Sequence, residues 1–329
     1  MTAVTARAFA NVALIKYFGK RDAVLNLPAA PSLSVTLSPL ETVTTVETLP
    51  PGSADDVFLN GTVAPTPFAA RVCRFLDLIR ERSGFPGPLR VSTTNRLPTA
   101  AGLASSASGF AALAAAAARL TGLSLTEAEL SALARRGSGS AARSVTGGLC
   151  VWQRGEKDDG SDSFARTIAS PGDWDLRLIA GIADPGEKPV GSTAAMELTR
   201  TTSPYYSAWI DSAATAVSEA MDAVSRKDLA QLGALAEASA LSMHAAAMAA
   251  RPGIVYFNGT TVEALHLVRR MRQEGIGAWF TCDAGPQPKV LCHACDAPAV
   301  VSRLSRLPGI RATIECRPAD GAAVLEVTP

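Results

Sequence analysis

Polar and apolar positions alternate in steps of two over roughly the first ninety residues, and this alternation predicts strands. "SLSVTLS" from Ser32 to Ser38 and "ETVTTVETL" from Glu41 to Leu49 each expose one face and bury the other. "DVFLNGTVA" carries an Asn60-Gly61 turn between two short runs, so this part of the chain reads as hairpin-rich sheet. The period then changes. From about Ala69 to Arg82 the apolar residues Phe75, Leu76 and Ile79 share one helical face, and a further strand ends near Thr94. After the turn at Pro98, alanine predicts a helix over about Ser106 to Leu120, with Gly122 placed to end it. A third helix is predicted from Thr126 to Arg136. Thr126 and Glu129 have the spacing of a capping box there, and Gly137 stops the helix.

Two more strands follow, "LCVWQRG" and "DLRLIAGIADP", and the segment Asp184 to Pro189 reads as a boundary between units at residues 1–184 and 185–329. Beyond it, helices are predicted over Ser207 to Arg226, Asp228 to Ala250 and Thr260 to Glu274. Strands "GAWFTCDAG" and "KVLCHA", a short helix, and closing strands "IRATIEC" and "AAVLEVT" complete the chain. Helices followed by sheet describe an α+β layer domain, and 329 residues suffice for two such units.

Charge narrows the partners. Charged residues make up 19% of the chain and the formal net charge is +1, which leaves no polybasic field for nucleic acid or an anionic membrane. Any basic site must be local. The six cysteines form no tight framework and "MTAVTARAFANVALIK" lacks the layout of a signal peptide, so a reducing cytoplasm is expected. The longest uncharged run, Leu97 to Ala118, is rich in Ala, Gly and Ser and too weakly apolar for a membrane span.

Four segments carry candidate chemistry. In "ANVALIKYFGKRD", Lys16 and Lys20 lie four residues apart, so they converge on one side in either a helix or a strand. Such a pair either faces an anion or reaches solvent along its aliphatic stems. "PTAAGLASSASGF" brings small residues, Gly102 among them, to a helix start. That arrangement suits phosphate oxygens, with Ser105 and Ser106 as hydroxyl donors or a magnesium ligand, although the Walker A pattern is absent and an ordinary strand-to-helix turn reads the same way. "RRGSGSAARS" lets backbone approach a ligand at Gly137 to Ser140 and offers the planar fork of Arg143. "FTCDAGPQPK" ends an apolar run at Asp283, which reads as a general base, as a group orienting a hydroxyl, or as an Asx-turn residue. Cys292 and Cys295 form C-x-x-C without a second pair, so packed thiols are expected rather than a metal site, and His244 is expected to pack in a helix face.

Taken in order, "ANVALIKYFGKRD", "LPAAPSLSVTLS", "PTAAGLASSASGFAALA", "RRGSGSAARS", "KPVGSTAAM" and "CDAGP" resemble the diphosphomevalonate decarboxylase family of the GHMP kinase superfamily, over Ala10 to about Pro286. The resemblance implies an N-terminal α+β domain like ribosomal protein S5 domain 2 and a ferredoxin-like C-terminal domain. It implies ATP and Mg²⁺ as cofactors, mevalonate 5-diphosphate as substrate, isopentenyl diphosphate as product and a homodimer as the common assembly. Asp283 would be the catalytic carboxylate near the 3-hydroxyl, and Lys16 would offset charge on the transferring phosphoryl group. The ATP-binding loop would run over Pro98, Ala101, Gly102, Leu103, Ala104, Ser105 and Ser106, with Asn95 before it and Ser106 on the metal. Tyr17, Lys20, Ser138, Gly139, Ser140 and Arg143 would grip the diphosphate and carboxylate, beside Ala13, with Asn11 supporting the site and Ser192 near the transferred phosphate. The chain departs from the family where Trp usually stands (Phe18), where Asn-Ser-Ser stands (Ala30, Pro31, Ser32) and where Asn-Asn-Phe-Pro stands (Asn95, Arg96, Leu97, Pro98), and also at Thr193 and Gln287. Those departures leave open a relative acting on mevalonate or its monophosphate. A nucleotide-binding protein without turnover is disfavoured by the joint presence of Lys16 and Asp283.

Overall fold

The structure, a computed structural model, describes residues 2–96, 105–183 and 190–328. The first half runs β1 (Ala3–Ile15), β2 (Lys20–Asp22), β3 (Leu27–Pro28), β4 (Ser32–Thr48), β5 (Asp56–Leu59), β6 (Thr62–Val63), α1 (Thr66–Ser83), β7 (Leu89–Arg96), α2 (Ser105–Leu120), α3 (Glu127–Gly137), α4 (Ala141–Val145), β8 (Leu149–Trp152), β9 (Ala165–Ala169) and β10 (Leu176–Ala183). The second runs α5 (Ser192–Thr202), α6 (Tyr206–Ser225), α7 (Leu229–Met248), α8 (Gly259–Gln273), β11 (Ala278–Cys282), β12 (Pro288–His293), α9 (Ala297–Ser305), β13 (Ile310–Pro318) and β14 (Ala323–Thr328).

The helices form where the periodicity places them. Alanine gives α2 its propensity, and its small side chains let the helix lie close on β1 and β4, so Ala111, Ala112, Ala114, Ala116 and Ala117 are fully buried. The capping box of α3 forms as its spacing predicts: Glu129 N–H donates to Thr126 Oγ1 at 3.3 Å, and Thr126 N–H donates to the Glu129 carboxylate at 2.8 Å. Asn258 and Thr261 cap α8 in the same way, a signal the sequence reading passed over.

Three local expectations change. The two strands read on either side of Ser38 are one long strand, β4. It bulges where β1 pairs Phe9 with Glu41 and then Ala10 with Leu37, leaving Ser38 to Leu40 outside that ladder and giving Pro39, which has no N–H to donate, a place. The short helix α4 and the helix α5 fill segments that carry too few apolar residues to show a period. Of the C-x-x-C pair, Cys292 is a packed thiol on β12 but Cys295 is exposed, because it falls in the turn after the strand.

The expected boundary at Asp184 to Pro189 lies outside the described residues. On its near side β10 pairs antiparallel with β12 and β13. β13 in turn reaches β4 at Ser38 and Leu37, and β14 returns to pair with β1. Twelve of the described strands therefore form one sheet. β1 is buried throughout Phe9 to Ile15 because α2 packs on it from the first half and α7 from the second. Its end, at Lys16, opens into the seam between the halves.

Candidate active site

A cavity of about 600 Å³ occupies that seam. Its walls include seven places in the chain: Asn11, Ala13, Lys16 and Tyr17 at the end of β1, Lys20 on β2, Asn95 on β7, Ser105 and Ser106 at the start of α2, Ser138 to Ser140 and Arg143 around α4, then Ser192 at the start of α5 and Asp283 after β11. Every described residue that the sequence reading singled out for the site lines it. Pro98, Ala101, Gly102, Leu103 and Ala104 lie outside the described residues.

Lys16 is 1% exposed. Its ammonium donates to Asp283 Oδ1 at 2.7 Å and to the Ala13 carbonyl at 2.8 Å, while its backbone N–H is held by Ser239 Oγ on α7 at 2.9 Å. The other carboxylate oxygen, Oδ2, lies 3.1 Å from the ammonium of Lys289 on β12. Burial opposes ionisation of Asp283, but the two lysines outweigh it and hold the carboxyl well below the usual carboxylate range. For Lys16 burial is the larger influence and lowers its pKa against the attraction of Asp283. Asp283 is therefore held as an anion, and its carboxylate oxygens face the two lysines rather than the turn's backbone N–H groups expected of an Asx-turn residue.

Arg143 is buried with no carboxylate partner among the described residues. Its Nε donates to Asn11 Oδ1 at 3.1 Å and Nη1 to Ser32 Oγ at 2.8 Å, while Tyr17 and Trp152 present ring faces within 6 Å. Asn11 is fixed by donating to Ser144 Oγ at 2.8 Å and the Ser140 carbonyl at 3.0 Å. The guanidinium is thus positioned by neutral acceptors, and burial lowers its pKa against a weaker pull from neighbouring groups that include Asp283. Ser32 supplies one of those acceptors, so the departure at Ala30 and Pro31 stops short of it. The Tyr17 hydroxyl is buried with no hydrogen-bond partner among the described residues. Burial pushes that phenol well up.

Lys20 donates to Asn26 Oδ1 at 2.6 Å and has no carboxylate partner either. Asn26, in a left-handed turn at φ 53°, donates in turn to the Arg135 and Arg136 carbonyls that end α3. Burial, reinforced by Arg71, lowers the Lys20 pKa. Across the cavity the hydroxyls of Ser106, Ser138 and Ser140 follow one another at 3.4 and 3.5 Å. These spacings are too long for strong mutual hydrogen bonds and leave the hydroxyls open to a shared ligand. Among the described residues no three His, Cys, Asp or Glu side chains converge on a metal position. The wall offers hard oxygen donors singly, the Ser106 hydroxyl among them, which suits a divalent ion carried mainly by phosphate oxygens and water.

The sequence reading missed Asn26, Asn60 and Arg71, which also line the cavity, and Lys289, which stands behind it. Lys289 was within reach: it closes the very segment that carries Asp283, and a hairpin there pairs Thr281 with Lys289. His244 packs as expected. Its ring stacks on Phe257 with centroids 4.0 Å apart, and burial together with nearby Lys16 brings its pKa down to about 4, so it stays neutral.

Comparison with known proteins agrees with this geometry. The diphosphomevalonate decarboxylase-like N-terminal domain matches residues 8–165, and the mevalonate 5-diphosphate decarboxylase C-terminal domain matches residues 178–322. The diphosphomevalonate decarboxylase of Aspergillus fumigatus is 38% identical over 93% of this chain and 80% of its own length, and that of Homo sapiens is 37% identical over 87% and 76%. Among solved structures, the mevalonate diphosphate decarboxylase from Staphylococcus aureus superposes with a TM-score of 0.94 at 35% identity, over 99% of both chains. A complex of MDDEF with MVAPP, AMPPCP and magnesium superposes with a TM-score of 0.93 at 38% identity, over 99% of this chain and 100% of that one. With the matched domains covering nearly its whole length, this chain belongs to the diphosphomevalonate decarboxylase family.

Proposed function

We propose that the protein catalyses the ATP-dependent decarboxylation of mevalonate 5-diphosphate to isopentenyl diphosphate, releasing ADP, phosphate and CO2. The observation that carries this reading is the Lys16–Asp283 pair, 2.7 Å apart, on the wall of a cavity where Arg143 and Lys20 have no carboxylate partner among the described residues. A substrate with a diphosphate at one end and a carboxylate at the other brings the anions those cations lack. Family membership, and relatives solved with MVAPP and an ATP analogue, support the same assignment.

The residues divide the work by charge. ATP phosphates would lie against the N-terminus of α2, where Ser105 and Ser106 add hydroxyl donors to the backbone N–H groups. Magnesium, held by those phosphates and Ser106, would neutralise charge during phosphoryl transfer. Asp283, already ionised, accepts a hydrogen bond from the 3-hydroxyl and orients it. The hydroxyl oxygen bonds the γ-phosphorus as the bond from that phosphorus to ADP breaks, and the hydroxyl proton passes to an oxygen of the transferred phosphoryl group, while Lys16 stabilises negative charge on that group, with Ser192 near its destination. The C3–O bond then breaks with its electron pair leaving on phosphate, and the positive charge that develops at C3 faces the fixed negative charge of Asp283. Arg143 holds the substrate carboxylate in line, so the electron pair of the breaking C1–C2 bond becomes the C2–C3 double bond as CO2 departs. Tyr17, Lys20 and the Ser138 to Ser140 loop grip the diphosphate, beside Asn11 and Ala13.

The test supplies ATP and Mg²⁺ with mevalonate, mevalonate 5-phosphate or mevalonate 5-diphosphate in separate reactions and follows ADP and alkene by mass. Isopentenyl diphosphate from the diphosphate alone is the expected result. ADP without alkene, or turnover only of a less phosphorylated substrate, would overturn the assignment. We also propose a cytoplasmic homodimer: all six cysteines are free, as a reducing compartment requires, and twofold pairing is the commonest assembly. Light scattering at working concentration tests the dimer.

A further inference from the structure

Lys289 is 3% exposed and does not line the cavity, yet it carries a charge. Its one anionic contact among the described residues is Asp283 Oδ2 at 3.1 Å, and its only other polar contact there is a long one, 3.3 Å to the Gln287 carbonyl. The register explains the meeting. β11 and β12 pair Thr281 with Lys289 and Cys282 with Pro288, so Lys289 shares a face with Thr281 and with Asp283 two residues on, and the two charges are diagonal neighbours. A buried lysine is costly, and Lys289 would be harder still for the fold to hold without the carboxylate beside it. What the lysine supplies that an apolar residue cannot is a second point of attachment for the carboxylate.

We infer that Lys289 is a positioning residue for the reaction: it holds Oδ2 of Asp283 while Lys16 holds Oδ1, and so fixes both the plane and the charge of the carboxylate that faces C3. The inference rests on the role given to Asp283 above. Asp283 sits beyond the last residue of β11, where a tight turn begins with Gly285 N–H donating to the Asp283 carbonyl at 2.7 Å, and its carboxylate is held among the described residues by the lysines alone, through a hydrogen bond from Lys16 and an ion pair with Lys289. With Lys16 alone, one oxygen would be anchored and the group would be free to rotate about that contact. The other titratable groups near it are poorly placed to replace Lys289. His244 on α7 is kept neutral by burial, the Cys282 thiol is pushed up to about 11, and Arg143 makes no ion pair with the carboxylate. Clamped twice, Asp283 is also a weak proton acceptor, which fits a group that orients a hydroxyl and later faces a cation better than one that removes a proton.

The experiment compares Lys289→Met, which keeps volume and removes charge, with Lys289→Arg, which restores it. In Lys289→Met kcat should fall by about tenfold or more while KM for both substrates holds and any fall in melting temperature stays small, because Asp283 keeps Lys16 as a partner and the groups that bind the substrates stay in place. Lys289→Arg should recover most of that loss. Unchanged kcat in Lys289→Met would overturn the inference, as would a loss that tracks a lower melting temperature and that Arg fails to restore. A double-mutant cycle on unfolding free energy with Asp283→Asn needs no turnover: coupled values are expected, and additive ones would also overturn it. If the wild-type protein gave no alkene in the same assay, the proposed function would fall, while the cycle would still decide whether Lys289 holds the carboxylate.

Discussion

Asp283 is useful because two lysines hold its charge on the cavity wall. Asn at this position keeps the shape and can still accept from Lys16, but it leaves two buried ammonium groups facing a neutral amide and puts no negative charge beside C3. Asp283→Asn should therefore abolish alkene formation while ATP binding, measured by calorimetric titration, stays intact; full activity in this variant would sink the mechanism. His244 makes a separate prediction about stability. Its pKa falls from 6.5 to about 4 on folding, so between those values the unfolded chain binds a proton that the native protein does not. Stability is then fully present above pH 6.5 and declines as pH falls toward 4, by up to about 3 kcal/mol from this group. Unfolding of His244→Gln by denaturant should lack that portion of the acid decline. An acid arm identical to that of the wild-type protein would show that the histidine is already solvated.

At the scale of elements, what aims these residues is a small number of ties between helices and strands. Glu237 on α7 accepts from Arg272 on α8 and from the Phe280 N–H of β11, while Arg272 also donates to the Ala278 carbonyl at 2.7 Å. One ion pair thus fixes the strand that leads to Asp283. Arg272→Met would leave the Glu237 carboxylate largely buried without its partner and should cost about 3 kcal/mol in denaturant unfolding, whereas a loss below about 1 kcal/mol would show the pair to be peripheral. The loop before α4 is aimed differently. A Cβ added at Gly139 would lie 2.5 Å from the Tyr17 hydroxyl, so Gly139→Ala should push that ring aside and raise KM for the diphosphate with KM for ATP unchanged. The sequence suggested that the glycines of "RRGSGSAARS" admit a ligand. The structure gives Gly139 a different neighbour, a side chain from the end of β1, and no local pattern could have named it. Period and capping made α1, α2 and α3 readable, because those signals are local. α4 and β4's bulge were not, since both answer to partners elsewhere in the fold.

For the whole molecule, the same distinction separates what could be read from what could not. Lys16 and Asp283 stood out as candidates on their own segments, but their contact spans 267 residues of chain, and only the resemblance to a family put them in one site before the fold did. Composition spoke for the total charge of +1 and was silent on where the cations gather. The sheet supplies the rest: β10 and β13 carry it from the second half to β4 in the first, β14 ties the chain's far end to β1, and α7 covers the strand that delivers Lys16. Halves joined only by a linker would melt independently, as multidomain chains commonly do. Halves that share a sheet, a strand bridge and a buried ion pair cannot lose one without exposing the core of the other. Scanning calorimetry of the full chain should therefore give a single transition, with van't Hoff and calorimetric enthalpies in agreement. Asp283→Asn should move that transition without splitting it, because the sheet still spans the seam when the ion pair is gone. Two resolved peaks in the wild-type protein would mean that the halves fold as separate units and meet only at the cavity.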